Sequence, residues 1–126
     1  MTDNKISKCI YNGRLPSLNE YISKLNGNRY MANYFKQAVE RDLVWTIKEA
    51  KMKPTDKPCI VYVVYHEPDR RRDVDNIYSA NKFILDALRK AGIIKNDSQK
   101  YVKDVIDTYI TDGQSQVDII IEERED

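Results

Sequence analysis

The residues with the most chemistry in them lie between Pro68 and Gln99, in PDRRRDVDNIYSANKFILDALRKAGIIKNDSQ. Arg70, Arg71 and Arg72 run directly into Asp73 and Asp75, and a further acid, Asp97, follows just past a helix-patterned segment. Dense positive charge beside carboxylates suits a protein that holds a polyanion and brings a cation to it. Hard divalent cations such as Mg²⁺ take oxygen ligands, and arginines anchor phosphates without reading base sequence. Phosphodiester hydrolysis needs an activated water, neutralised phosphate charge and help for the leaving oxygen. A carboxylate-held metal supplies the first two, and a nearby cation such as Lys82 supplies the last.

Spacing supports this reading. In an extended segment residues i and i+2 point to the same side, so Asp73 and Asp75 can converge on one ion. Asp75 is placed to cap a helix starting at Asn76. At ~100° per residue, Ser79, Lys82 and Asp86 fall within roughly 40° of Asp75, and Lys82 lies about 10 Å along the axis. Helical side chains lean toward the N-terminus, which lets Lys82 reach back toward the acids. The opposite face carries Ile77, Ala80, Ile84, Ala87, Leu88 and Ala91, an amphipathic pattern that packs on the domain. Gly92 fits the helix C-cap, and Asp97 must fold back from its polar turn to join the other acids. Each feature also has a plain structural reading: a cap, a solvated arginine run, a turn residue. Their joint occurrence favours the functional one.

The elements that must position this block fit one domain, 1–126. The composition is 41% hydrophobic and 33% charged, with a net charge of +1. A generic DNA-coating protein would be basic throughout, so any nucleic-acid contact must be concentrated on one face. No apolar run approaches the ~20 residues of a membrane span, and the first residues lack a signal-peptide core. The expectation is a cytoplasmic protein, or one of the host cytoplasm if it is viral. Cys9 and Cys59 sit in apolar strand-like runs, as buried free thiols without metal spacing. His66, the single histidine, ends a strand beside the key block; a phosphate contact and a structural role are both open to it.

Residues 5–12 read as a strand. Residues 13–30 read as a long polar loop whose Arg14, Lys24 and Arg29, interleaved with Tyr21 and Tyr30, suit phosphate contact and base stacking, or which packs Leu15, Leu18 and Leu25 on the core. Residues 31–52 read as a helix with Phe35, Val39, Leu43 and Ile47 on its apolar face, Ala38 and Trp45 flanking it, and Lys36, Glu40 and Arg41 on a solvated one. The run 59–66 suits a central strand covered on both faces. Residues 102–111 and 117–123 read as a hairpin turned at Asp112-Gly113. The order is β-α-β-α-β-β: a mixed α/β, α+β domain with one sheet backed by two helices.

These residues resemble the RusA family of Holliday junction resolvases, small phage-associated crossover junction endodeoxyribonucleases. The resemblance is carried by Pro68-Asp-Arg-Arg-Arg-Asp-Val-Asp-Asn76, by Lys82 with Asp86-Ala-Leu88, by Gly92 and Asn96-Asp-Ser-Gln99, and more weakly by Leu15-Pro-Ser-Leu-Asn19. It implies a RusA-like fold and a homodimer acting on four-way-junction DNA by paired symmetric nicks. It implies Mg²⁺ as cofactor (Mn²⁺ as a substitute) on Asp73, Asp75 and Asp97, with Lys82 as the catalytic lysine. The spacer between Asp75 and Asp86 is about three residues longer than in one member of the family, which leaves Ser79 as the alternative lysine register, and Asn96 stands where relatives often carry another acid. Arg70, Arg71, Arg72, Arg14, Lys24 and Arg29 are the expected DNA contacts, with Arg72 nearest the scissile group. No membrane and no small-molecule cofactor is expected. The competing expectations are a branched-DNA-binding protein without cleavage activity and a phosphohydrolase acting on small substrates. An extended cationic face, in place of a closed pocket, argues against the latter.

Overall fold

The computed structural model describes residues 5–27 and 29–125, excluding the side chains of Leu18, Lys24 and Leu25. The elements are β1 (Ile6–Asn12), α1 (Leu18–Gly27), α2 (Arg29–Glu49), β2 (Cys59–Glu67), α3 (Val74–Tyr78), α4 (Asn81–Lys90), β3 (Val102–Thr111) and β4 (Gln116–Glu123). Period-two alternation sets the sheet. Cys59, Val61, Val63, Tyr65 and Glu67 of β2 are buried, as are Val117, Ile119, Ile121 and Glu123 of β4. This face packs with Leu43 and Ile47 of α2, Ile77 of α3 and Ile84 and Leu88 of α4 in one core. Each such side chain contributes about 1.5–3 kcal/mol by leaving water. The fold is mixed α+β: a mixed four-stranded sheet with its helices on one face.

The strand order is β1-β4-β2-β3. β2 runs antiparallel to β4 and parallel to β3, so α3 and α4 form the crossover that parallel neighbours require. Residues 102–123 are therefore not a hairpin. β2 lies between β3 and β4, and the Asp112-Gly113 turn passes over its end, where the Asp112 and Gly113 amides both donate to the Glu67 carbonyl at 3.2 and 3.3 Å. Turn chemistry reports a reversal of direction but not which strand pairs next. Nor is β2 covered on both faces: Ile60, Tyr62, Val64 and His66 point away from the helices. A continuous apolar run does not by itself distinguish the two cases.

Part of the expected polar loop is helix α1. Ser17 and Glu20 form a capping box, in which the Ser17 hydroxyl accepts from the Glu20 amide at 3.2 Å and the Glu20 carboxylate accepts from the Ser17 amide at 3.4 Å. Two orphan donors are thus satisfied reciprocally. The expected packing of Leu18 and Leu25 lies outside the described side chains, while Leu15 is buried. On α2, Glu40 is buried rather than solvated and takes Lys90 of α4, while Trp45 is exposed. α4 ends as expected at Gly92, whose φ of 78° is left-handed. The Ile93 amide reaches the Leu88 carbonyl at 2.9 Å and the Gly92 amide reaches that of Arg89 at 3.0 Å, a Schellman closure. Among the described residues no helix is long and apolar enough to cross a membrane.

Candidate functional site

Parallel β2 and β3 end side by side, and the chain leaving β2 turns through Pro68–Arg72 into α3. A cleft of about 270 Å³ opens there, lined by Asp69, Arg70, Arg72, Asp73, Val74, Ile77, Tyr109 and Thr111. It lies outside the carboxyl ends of the parallel strands, where α/β sheets characteristically bind ligands. Arginine and aspartate side chains meet in it, which was the expectation for this block.

The expected helix from Asn76 is two helices. α3 starts at Val74, with Asp73 rather than Asp75 as its N-cap residue, in extended conformation and without a side-chain cap bond. Residues Ser79 and Ala80 interrupt the regular helix before α4. Both residues keep right-handed helical dihedrals, and the expected apolar face holds across them, with Ile77, Ala80, Ile84, Ala87 and Leu88 all buried. Asp73 and Asp75 are exposed, and neither carboxylate forms an ion pair among the described residues. Asp75 Oδ1 accepts from the Asn76 amide at 3.0 Å. Lys82 is exposed and lies 3.5 Å from Asp86, which is buried rather than turned outward. The Ser79 hydroxyl donates to the Asn76 carbonyl at 2.7 Å. Asp97 is exposed in the turn after α4, where Asn96 accepts the Ser98 amide at 2.9 Å.

Asp73 and Asp75 carry the exposed oxygen donors that a hard cation such as Mg²⁺ takes, but Asp75 lies in the first turn of α3, so the extended i, i+2 geometry expected to converge the pair does not hold. The three-acid set is not gathered: among the described residues no three His, Cys, Asp or Glu side chains stand close enough to hold one ion.

The arginines divide into two kinds. Arg72 donates to the Leu15 carbonyl at 2.8 Å and to Glu20 at 2.7 Å, and its side chain is 14% exposed. It ties the site loop to the start of α1 instead of standing free for phosphate. Arg14 is held 2.6 Å from the buried Glu67. Arg71 lies 3.7 Å from Asp69 and projects into solvent. Arg70 and Arg29 are exposed, and Arg70 lines the cleft. The Lys24 side chain lies outside the description. Tyr30 is exposed, whereas Tyr21 packs edge-to-face on Phe83, ring centroids 6.2 Å apart.

Sequence reasoning missed a polar cluster beneath the cleft. The Tyr65 hydroxyl donates to Asn81 Oδ1 at 2.7 Å, and Asn81 Nδ2 donates to Asp107 Oδ2 at 2.6 Å. Asp107 Oδ1 is buried without a hydrogen-bond partner. Burial pushes the Asp107 carboxyl up, against the opposing Asn81 bond. Burial, followed by the Asp107 charge, raises the Tyr65 and Tyr78 hydroxyls. Tyr78 bridges the rings of Tyr65 and Tyr109, at centroid distances of 5.9 and 6.1 Å, and so connects this cluster to the cleft wall. The available signal was Asp107 itself, an acid on the side of β3 shared with Val105 and Tyr109.

His66 is bridged between two acids. Nδ1 lies 2.6 Å from Asp112 Oδ2 and Nε2 lies 3.1 Å from Asp118 Oδ2. Its pKa is raised, chiefly by the Asp112 bond and then by Asp118. His66 thus fastens the crossing turn, leaving the structural one of its two expected roles. Both cysteines are free and buried, and burial pushes the Cys9 thiol up to about 11. No protein-family model and no curated protein matches the chain.

Proposed function

We propose that this protein is an Mg²⁺-dependent, structure-selective endodeoxyribonuclease that resolves four-way DNA junctions by paired symmetric nicks, as a RusA-like homodimer in the cytoplasm of a bacterium or phage-infected host. The observation that carries the reading is the cleft at the ends of β2 and β3, where Arg70 and Asp73 line one opening beside exposed Asp75. Arg70 offers a guanidinium to a phosphate. Asp73 and Asp75 would hold the cation, and when bound it would neutralise phosphate charge and activate water. Lys82 stabilises charge on the leaving oxygen. Arg72 and Arg14 serve by position: their ion pairs fix the site loop and the strand end that deliver the acids.

A second reading has its own support. Arg70, exposed in the cleft, would anchor phosphate equally well in a junction-binding protein that does not cut. One experiment separates them: purified protein with a labelled four-way junction, in Mg²⁺, Mn²⁺ or EDTA, beside Asp75→Asn. Paired nicks from wild type alone, and only with metal, support the nuclease. Saturable junction binding in EDTA with no product in either metal supports the binding protein.

A further inference from the structure

The cleft has two kinds of wall. Arg70 and Asp73 bring charge to it, while Val74, Ile77 and Tyr109 give it an apolar side. Ile77 is buried, but Val74 is 44% exposed and Tyr109 43%, so both present carbon surface at the opening. Tyr109 stands beside Tyr65 of β2 by register. Its ring packs on that of Tyr78 at an interplanar angle of 61°, and Tyr78 packs in turn on Tyr65 at 44°. The Tyr65 hydroxyl is held by Asn81 at 2.7 Å. The outermost ring of this ladder is thus exposed yet braced from the core. An exposed tyrosine ordinarily loses rotamer freedom when it takes a ligand, whereas a braced ring has lost it already.

We propose that this cleft takes one unpaired nucleotide of a DNA strand, with its base stacked on Tyr109 and its phosphate on Arg70. The proposal rests on the functional reading for DNA as the polymer, and it adds the substrate feature that the cleft selects. Size favours a single nucleotide. A space of 270 Å³ lies just below the roughly 300–1,000 Å³ of small-molecule pockets, so a duplex lies across the mouth and only a base that leaves its stack enters. The lining fits the chemistry of such a nucleotide. Every base offers a π face to an aromatic ring, and its phosphate offers oxygens to a guanidinium. Arg70 follows β2 and Tyr109 lies near the end of β3, its parallel neighbour, so the two groups meet the opening from adjoining strand ends. Drawing a base out of a duplex costs unpairing and unstacking energy, and a base that is already unpaired costs least. The pocket therefore favours branched or bulged DNA over continuous duplex without reading sequence.

Fluorescence anisotropy of the full chain in EDTA tests this with two labelled duplexes. One carries a single bulged adenine, and the other a bulged abasic site with the same backbone and no base. Wild type should bind the adenine bulge about 5- to 150-fold tighter, which corresponds to one stacked base. Tyr109→Ala should erase that preference and Tyr109→Phe should keep it, with circular dichroism confirming each fold. Arg70→Ala should weaken both duplexes by the same factor, as the loss of a phosphate contact does. Wild-type affinity for the adenine bulge that is no greater than for the abasic one, or no binding of either, overturns the proposal without any variant. So does a preference that folded Tyr109→Ala retains or folded Tyr109→Phe loses. Junction cleavage is scored separately. A protein that prefers the adenine bulge and cuts nothing keeps this pocket and loses the nuclease, whereas one that nicks junctions without the preference does the reverse.

Discussion

Asn81 donates its side-chain amide to Asp107 Oδ2 at 2.6 Å and thereby ties the start of α4 to the middle of β3. Its oxygen simultaneously accepts the Tyr65 hydroxyl at 2.7 Å. The site helices α3 and α4 are short, and this bond fixes where the second begins. Asn81→Ala strands Asp107 and Tyr65 together and should cost about 1–3 kcal/mol. Thermal unfolding should then show a Tm lower by roughly 3–10 °C. A Tm unchanged within error would mean that the bond does not hold α4.

Asp107→Asn should have the opposite sign. The folded carboxyl is raised by burial, so its favourable contribution is complete below the unfolded value of 3.8 and is lost as pH rises through the folded pKa. At pH 7.5 the charged form is the disfavoured one. The amide keeps an oxygen for Asn81 and carries no charge, so the variant should melt above wild type. That advantage should shrink as pH falls toward 4, and melting curves at several pH values check it.

The acids of the site should matter for cutting and little for folding. Asp73 makes no side-chain cap bond and Asp75 accepts only its neighbour's amide among the described residues. Asp73→Asn and Asp75→Asn should each lower junction cleavage at least ~100-fold while shifting stability by no more than about 0.5 kcal/mol. Lys82→Met should lower cleavage by a comparable factor. Ser79→Ala should act weakly, since that hydroxyl is bonded to the Asn76 carbonyl. The reverse ranking in a single-turnover assay would move the lysine role away from position 82.

Arg70 and Arg72 should separate by assay. Arg72→Ala breaks bonds to Leu15 and Glu20 and should cost about 1–3 kcal/mol of stability. Arg70→Ala should leave Tm nearly unchanged yet weaken junction binding, and the salt dependence of binding should fall by about one unit of slope. Arg14→Ala should destabilise most, by about 3 kcal/mol, because it leaves the Glu67 carboxylate buried without its partner.

The His66 clasp predicts a pH profile. His66 is raised above 6.5, so its contribution is complete below 6.5 and is lost as pH rises through the folded pKa. Asp112 is lowered, chiefly by the His66 bond. Burial raises Asp118, but Gln116, His66 and Lys8 outweigh it and leave it lowered too. Their contributions hold above 3.8 and are lost as pH falls through the folded values. The clasp is therefore strongest between about pH 4 and 6.5. His66→Gln should flatten the fall in Tm between pH 6 and 8, and an unchanged fall would assign it to other groups.

The sequence by itself determined the local features. The apolar, β-branched run 59–66 and the run 117–123 wrote two strands, and helical spacing wrote α2 and the packed face of α4. Gly92 marked the stop of α4, because only a left-handed residue closes the helix that way. The Arg-Asp block was legible as one neighbourhood because its members are adjacent in the chain. A capping box at Ser17 and Glu20 was also written there, although a polar composition concealed it.

Only the tertiary structure decided what those features meet. Whether an arginine is free for phosphate depends on a distant acid: Glu20 takes Arg72, Glu67 takes Arg14, and Arg70 is left in the cleft. The Asp112-Gly113 turn fixes a reversal, but β2 inserts between β3 and β4 because its backbone finds partners on both edges there. The packed face of Ile77, Ala80, Ile84, Ala87 and Leu88 survives the break after Tyr78, but Asp86, which the same spacing put on the outward stripe, is buried. Asp97 has the same limit. Its residue type qualifies it as a ligand, but three carboxylates share an ion only where the folded backbone brings them together.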